Sequence, residues 1–449
     1  MLLVTIALLP ALAAAPGVGA GRAAAQAVSR PNVLIIVTDD QRYEGSMGLM
    51  PKTRRWFGAG GTEFTQGFVT TPLCCPSRST IFSGRYAHNH RVLTNLDPPS
   101  LLDMDGTMQR YLHDAGYRTA IAGKVLNYWK VEWDAPHFDR WATLRGEYFD
   151  TYWNLDGTVK KVSGYTTDQV KGHAVRFLRW FETADAQPWF LYVAVHAPHK
   201  DYLPAPKYAD APVPTWGPLP SVYETDRSDK PPWSRWAWTP DRVRPIRDAQ
   251  LRTLMSVDDL VGRVSRELRS LDETNTLAFF LSDNGLLWGE HGIGANKRFP
   301  YTESIQVPFF VRWPGHLAAG ASDDRFATNV DILPTVLEAT GVSPDLVYPL
   351  DGRSLLQPGS RNRLFLEYFV SSDLPGVPSW ASIRNESYQY VEWYDALGNL
   401  IFREYYDLVE DPYQLVNLLH DGNTENDPDV SAIAAQLDDD RECAGTACP

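Results

Sequence analysis

Three apolar runs, each closed by polar residues, constrain what this 449-residue chain can fold into more than any other feature. They are PNVLIIVTDDQR at 31–42, PWFLYVAVHAPH at 188–199 and LAFFLSDNG at 277–285. Unbroken stretches of β-branched and aromatic residues read as strands buried on both faces, as in a parallel sheet. Helical periodicity lies between and after them, at 108–117, 168–182 and 250–271. The alternation predicts an α/β fold, a mostly parallel central sheet flanked by helices. In such sheets ligands collect beyond the carboxyl ends of the strands. Each run ends there in Asp, Asn or His, so chemistry is expected at Asp39, Asp40, His199, Asp283 and Asn284.

The length suits one large domain plus a smaller one. A formal net charge of -13 disfavours a non-specific nucleic-acid binder. It leaves an anionic substrate open, because local cations decide that. Fifteen tryptophans suit a carbohydrate- or aryl-binding surface, or simply a large core. Residues 1–27 run from an apolar stretch into small residues and read as a secretory signal peptide, though no Lys or Arg precedes the stretch. The stretch is too short and too rich in Ala, Pro and Gly for a membrane span, so an exported soluble protein is expected. Export would permit a local disulfide between Cys443 and Cys448. Residues 204–245, dense in Pro, Trp, Asp and Arg, read as an ordered functional loop or flap. From about 361 the pattern turns to short strands at 363–370, 387–395 and 399–408 and a helix near 430–438. The expected division is a main domain over 30–360 and a small antiparallel α+β subdomain over 361–449.

The segment LCCPSRSTIFSGR at 73–85 places Cys74 four residues before Arg78, with Pro76 suited to the first turn of a helix. Peptide N–H groups at such a helix start favour an anionic ligand. Taken alone, Cys74 and Cys75 could be packed small hydrophobes, disulfide partners or thiolate ligands. The whole string, however, resembles the sulfatase signature C-x-P-S-R. The resemblance implies that Cys74 is oxidised to Cα-formylglycine by a formylglycine-generating enzyme, with Cys75 in the variable place. The aldehyde hydrate is a geminal diol: one hydroxyl attacks sulfur, and the other later expels sulfate.

The order of LIIVTDD, CCPSR and LSDNG is similar to that of sulfatases in the alkaline-phosphatase superfamily. Alone, DD and SDNG would read as turn and cap residues. The resemblance makes Asp39, Asp40, modified Cys74, Asp283 and Asn284 ligands of one divalent cation, and hard oxygens suit Ca²⁺, or Mg²⁺. It also implies that Arg78 braces the diol, that Lys124 (AGKVLN) and Lys297 (HGIGANK) contact sulfate, and that His199 (HAPH) meets the ester oxygen. Such cations can neutralise charge on a transferring sulfuryl group, and histidine can protonate a leaving alkoxide. His196 reads as packing or orienting its neighbour; His291, His88 and His90 are open between a supporting role and plain structure.

Many sulfatases carry a histidine two residues after the G-K lysine, where this chain has Leu126 followed by Asn127. The GKVLN form, CCPSR, H-N-H at 88–90 and SDKPPW at 228–233 resemble the branch of N-acetylglucosamine-6-sulfatases and extracellular heparan endosulfatases. Asn127 and His291 are therefore expected on the substrate side. The elimination base falls to His199, Lys124 or a water held by Asn127. The tail REYYDLVEDPYQLVNL resembles a family block in which Gln414 stands where acidic residues are common. The expected function is hydrolysis of sulfuric esters, with 6-O-sulfated N-acetylglucosamine in glycosaminoglycan-like material favoured. A phosphonate or phosphate ester hydrolase of the same superfamily is the nearest alternative, and a non-catalytic carbohydrate-binding homologue the next.

Overall fold

The computed structural model describes residues 30–370 and 376–449, together with Leu3; the expected signal peptide lies outside the described residues apart from that one position. The first apolar run forms β1 (Asn32–Thr38), every residue of it buried. In chain order follow β2 (Thr62–Phe68), β3 (Arg118–Gly123), β4 (Arg140–Leu144), β5 (Tyr152–Leu155) and β6 (Thr158–Lys161). The second and third runs form β7 (Trp189–Ala194) and β8 (Thr276–Ser282), then come β9 (Phe309–Arg312) and β10 (Ala321–Thr328). They make one ten-stranded sheet in the order β10-β2-β9-β8-β1-β7-β3-β4-β5-β6. From β8 to β4 the neighbours are parallel, and antiparallel pairings confine themselves to the two flanks. The three runs are thus adjacent central strands, which is why none of them alternates: each faces a helical layer on both sides.

One layer carries Thr166–Phe181 and Pro240–Ser270, and the other carries Cys74–Ser83, Met108–Asp114 and Ile332–Thr340. The long helix begins about ten residues earlier than its periodicity indicates, inside the expected loop. Pro240 stands in its first turn, where a missing N–H costs nothing, and Pro245 follows early enough to remove a single hydrogen bond. The rest of that segment is short 3₁₀ turns, Pro206–Tyr208, Pro220–Tyr223 and Pro232–Ser234.

A second sheet is an antiparallel meander of β11 (Leu364–Tyr368), β12 (Ser379–Arg384), β13 (Tyr388–Tyr394) and β14 (Leu400–Asp407). The helix Ser431–Arg441 packs against it. β12 went unread in the sequence because its SWASIR is too short and mixed to show a period. Cys443 and Cys448 form the local disulfide. The tryptophans serve mainly as core: Trp153, Trp189, Trp380 and Trp393 are among the largest fully buried side chains. Among the described residues no helix is long and apolar enough to cross a membrane.

Candidate active site

Register brings the polar strand ends together. Thr38 of β1 lies beside Ser282 of β8, so Asp39 and Asp283 leave neighbouring strands at the same level. The Asp40 amide donates to Asp283 Oδ1 at 3.2 Å. On the other side Val37 pairs with Ala194, and the Asp39 amide donates to the Ala197 carbonyl, which leads the β7 end round to His199. Next over, Gly123 of β3 also pairs with Ala194, and a Cβ there would lie 1.8 Å from the Ala194 oxygen. Only glycine permits that approach, and it delivers Lys124 to the cluster.

Cys74 is the first residue of its helix, wholly buried, with Pro76 in the first turn as expected. Leu73 has no side chain able to cap; Asn95 does so from a distant loop, its Oδ1 accepting the Cys75 amide at 2.9 Å. Cys74 Sγ meets Asp39 Oδ1 at 3.3 Å and receives the Lys297 ammonium at 2.7 Å. Lys297 also donates to Asp40 Oδ1 at 2.5 Å and to Asn284 Oδ1 at 3.4 Å. Lys124 donates to Asp39 Oδ2 at 2.5 Å. The Arg78 guanidinium, completely buried, donates to Asp283 Oδ2 at 2.7 Å and stands 3.4 Å from Asp39 Oδ2. Three carboxylates, Asp39, Asp40 and Asp283, are therefore balanced by three cations, Arg78, Lys124 and Lys297.

These charges set one another. Burial opposes the Asp39 carboxylate, but Lys124, His199, Arg78 and Lys297 outweigh it and hold its pKa well below the usual range. Burial and the nearby Asp39 charge instead push Asp283 up to about 6. Burial likewise opposes the ammonium groups of Lys124 and Lys297, yet Asp39 raises the first and Asp40, with Asp39, raises the second. Burial and Asp39 raise the Cys74 thiol far above its ordinary value, so it is a neutral thiol, not a nucleophilic thiolate. Burial pulls His199 below its ordinary value, against the attraction of Asp39 and Asp40. It is a neutral imidazole near pH 7, its Nε2 at 3.9 Å from Asp40 Oδ2.

The side chains converge closely enough to hold a metal ion. One ligand atom from each of Asp39, Asp40, Cys74 and His199 lies within 4.8 Å of the others, close to twice a Ca²⁺–oxygen distance of about 2.3–2.6 Å. Asp283 and Asn284 border this group: Asp283 is turned to Arg78, and the Asn284 amide donates to Asp40 Oδ1 at 2.7 Å. The Lys297 ammonium touches an oxygen of Asp40 and of Asn284 and the Cys74 sulfur at once, so a positive charge is accepted where those atoms converge.

Other sequence candidates are placed differently. Asn127 adjoins the cluster through its backbone: its amide donates to Cys75 Sγ at 2.9 Å. Cys75 thus has a contact that its variable position in the signature did not suggest. His291 is engaged elsewhere: its Nδ1 pairs with Glu224 at 2.7 Å and its ring lies on Tyr301. His90 accepts or donates to Thr80 Oγ1 on the Cys74 helix, and burial holds it neutral with a pKa of about 3. His88 instead ties to Glu367 and the Cys443 carbonyl in the C-terminal part. His196 packs between Tyr148 and His199, neutral through burial. Tyr202, whose hydroxyl burial and the Asp40 charge keep protonated, was not legible because a lone tyrosine after HAPHKD carries no period.

The sulfatase family profile matches residues 31–342, and a second, described as N-sulphoglucosamine sulphohydrolase, C-terminal, matches 289–442. An extracellular sulfatase Sulf-1 homolog of Caenorhabditis elegans, itself described as putative, is 35% identical over 361 residues, 73% of this chain and 49% of that protein. Human N-acetylglucosamine-6-sulfatase is 30% identical over 454 residues, 87% of this chain and 81% of that protein. A protein solved in complex with its substrate D-glucosamine-2-N,6-O-disulfate superposes with a TM-score of 0.74 at 23% identity, covering 91% of this chain and 96% of its own. Fold and cluster define an α/β scaffold with a group of acidic, thiol and imidazole side chains at its strand ends that could hold a metal ion. The chain belongs to the sulfatase family. It spans about half the length of the Caenorhabditis elegans relative.

Proposed function

We propose that this protein is an exported hydrolase of sulfuric esters, acting on O-sulfated sugars of the 6-O-sulfated N-acetylglucosamine type. The observation that carries the reading is the convergence of Cys74 with Asp39, Asp40, Lys124, Arg78 and Lys297 at the carboxyl ends of adjacent strands. Conversion of Cys74 to formylglycine by a formylglycine-generating enzyme would supply a hydrated aldehyde, which offers one oxygen for attack on sulfur and another for expelling sulfate. A Ca²⁺ ion held by Asp39, Asp40, Asp283 and Asn284 would supply a positive charge to a sulfate oxygen and to that nucleophile.

The chain's own groups do the rest. Arg78 is locked between Asp39 and Asp283, so it braces position 74 without rotamer freedom. Lys124 and Lys297 stay charged and meet the equatorial oxygens of the sulfate, where negative charge spreads in transfer. His199, neutral and with its Nε2 turned to the cluster at 3.9 Å from Asp40 Oδ2, lends an N–H to the ester oxygen. His196 and Tyr148, whose hydroxyl donates to the His199 carbonyl, hold that ring in place. Asn127, fastened by its amide to Cys75, borders the substrate side. The roles of His291 are positional: it anchors the 204–239 segment through Glu224. The main domain is taken as 30–360 and the C-terminal subdomain as 361–449, and the disulfide is consistent with export.

Intact mass of the peptide containing 73–85 tests the nucleophile, since cysteine to formylglycine removes about 18 Da (two hydrogens and sulfur out, one oxygen in). An unmodified peptide in active protein would end the reading. Turnover of a sugar sulfate against the matching phosphate tests the reaction: a phosphate preference would move the assignment to the phosphate ester hydrolases.

A further inference from the structure

The structure assigns a second anion site to this protein, remote from Cys74, which we propose binds sulfate groups along a sulfated glycan chain. The site is a cavity of about 410 Å³ between the start of the chain's first helical turns and the far half of the long helix. Lys52, Arg55, Arg266, Arg269 and Arg312 line it, with Trp56, and no carboxylate does. Arg312 is paired with Ala278 near the beginning of β8, whereas the active-site carboxylate Asp283 follows the end of β8. The cavity therefore lies toward the opposite end of the sheet from the reaction.

Its electrostatics are unusual for an acidic protein. Lys52 is answered by Asp259 at 2.5 Å and Asp258 at 3.7 Å. None of Arg55, Arg266, Arg269 and Arg312 forms an ion pair among the described residues, although the chain carries a net charge of -13. Arg312 Nε is buried without a hydrogen-bond partner, and its guanidinium lies over the Trp56 ring at 5.3 Å. A buried donor with no acceptor costs free energy, and unbalanced like charges repel. Burial and the neighbouring Arg269 charge lower the Arg312 pKa, the sign of a cation lacking its counterion. Backbone choices keep the cavity open. Gly262 interrupts the middle of a 31-residue helix, where alanine would be preferred. A Cβ there would lie 2.5 Å from Lys52 Cδ, and one at Gly60 would lie 3.3 Å from Arg312 Nε.

Oxyanions with fork-like oxygens match arginine geometry, and several such groups on one chain would answer several arginines together. The choice of a glycan over other polyanions rests on the proposed function, whose substrate carries the same groups. The test uses full-length protein with Cys74→Ala, so that binding is read without turnover. Titration with a defined heparin oligosaccharide is compared with the same protein also carrying Arg266→Ala and Arg269→Ala, both exposed helix positions. Affinity is expected to fall about tenfold or more, and its log–log salt dependence to flatten by roughly one to two. Arg266→Lys with Arg269→Lys should recover much of the affinity. In the otherwise native enzyme, the double alanine change should leave turnover of a monosaccharide sulfate unaltered. Equal affinity with and without the two arginines would overturn the site, as would binding of inorganic polyphosphate but not of the oligosaccharide. Failure of the sulfatase reading would appear as absent turnover of every sulfate ester and would leave the binding comparison readable.

Discussion

Two of the buried ionic clusters among the described residues are built on different terms. Around Cys74, charges answer charges: Lys124 has Asp39, Lys297 has Asp40, and Arg78 has Asp283 and Asp39. Between the 204–239 segment and the second sheet, Lys230 is fully buried and bridges Glu224 and Asp229, but it also donates to the Leu415 carbonyl. Asp229 accepts the Asn417 amide, and Glu404 accepts from Tyr301, Tyr406 and Trp393. Neutral and backbone partners supply most of the second cluster, although Glu224 Oε1 meets only the Lys230 charge. The first has some neutral donors, the Asp40 amide and the Asn284 side chain, but its three cations are answered mainly by carboxylates, Arg78 keeps a buried nitrogen without a hydrogen bond, and those cations face groups that a metal ion and a sulfate would re-engage. Saturation by neutral donors marks a structural cluster, and saturation by exchangeable charges marks a reactive one.

Substitutions should separate the two. The largest effect is expected for Cys74→Ser, with multiple turnover reduced by about 10⁴-fold or more and little change in Tm. The substituted hydroxyl can accept sulfate yet cannot expel it, so one equivalent should remain attached to the protein, visible by mass. Asp283→Ala should lower kcat/KM by about 10²–10⁴-fold. Added Ca²⁺ should raise the Tm of the native protein and not of this variant; equal stabilisation would remove Asp283 from the metal site.

Lys230→Met should do the reverse, costing about 3–5 kcal/mol of stability by stranding Glu224 and Asp229 in the interior. The fraction that stays folded should turn over normally, as a denaturant melt run beside an assay at 25 °C would reveal. An activity loss out of proportion to the unfolded fraction would blur the contrast between the clusters. His199→Ala should fall between them in kind: a sugar sulfate, with its poor leaving group, should suffer about 10²–10⁴-fold, and 4-nitrophenyl sulfate much less. Equal losses would assign His199 to sulfate binding.

The smallest effect concerns His88, at the junction of the Cys74 helix region with the C-terminal part. Burial opposes its charge, but Glu367 and the Cys443 carbonyl raise its pKa to about 8. The unfolded chain releases that proton near 6.5. The contribution is therefore fully present below pH 6.5 and is lost as pH rises through about 8, an amount on the order of 1–2 kcal/mol. Tm measured from pH 6 to 9 should fall more in native protein than in His88→Gln; parallel curves would show that the Glu367 pair does not bear on stability.

Much of this was legible in one dimension. Strands without alternation, a Cys–Pro–Ser–Arg helix start and aspartates at strand ends are local signals, and the structure places them as a local reading implies. Their convergence follows from register, since a parallel pairing of β1 with β8 can only bring equivalent ends together. His291 shows where that logic stops. Its motif suggests the substrate side, but which partner its ring finds depends on the 204–239 segment, whose Pro-rich sequence carries no periodicity to place Glu224.

What the sequence by itself determined, then, is the class of fold and the kinds of chemical group at the strand ends, because burial pattern and residue type are written position by position. Only the tertiary structure decided which charges answer which. It set Arg78 against two aspartates, gave Cys75 the Asn127 amide and left four arginines at the far end of the sheet without acids. The reason is physical: Coulomb and hydrogen-bond energies depend on separations of a few ångströms between residues up to two hundred positions or more apart, and no local pattern encodes that distance.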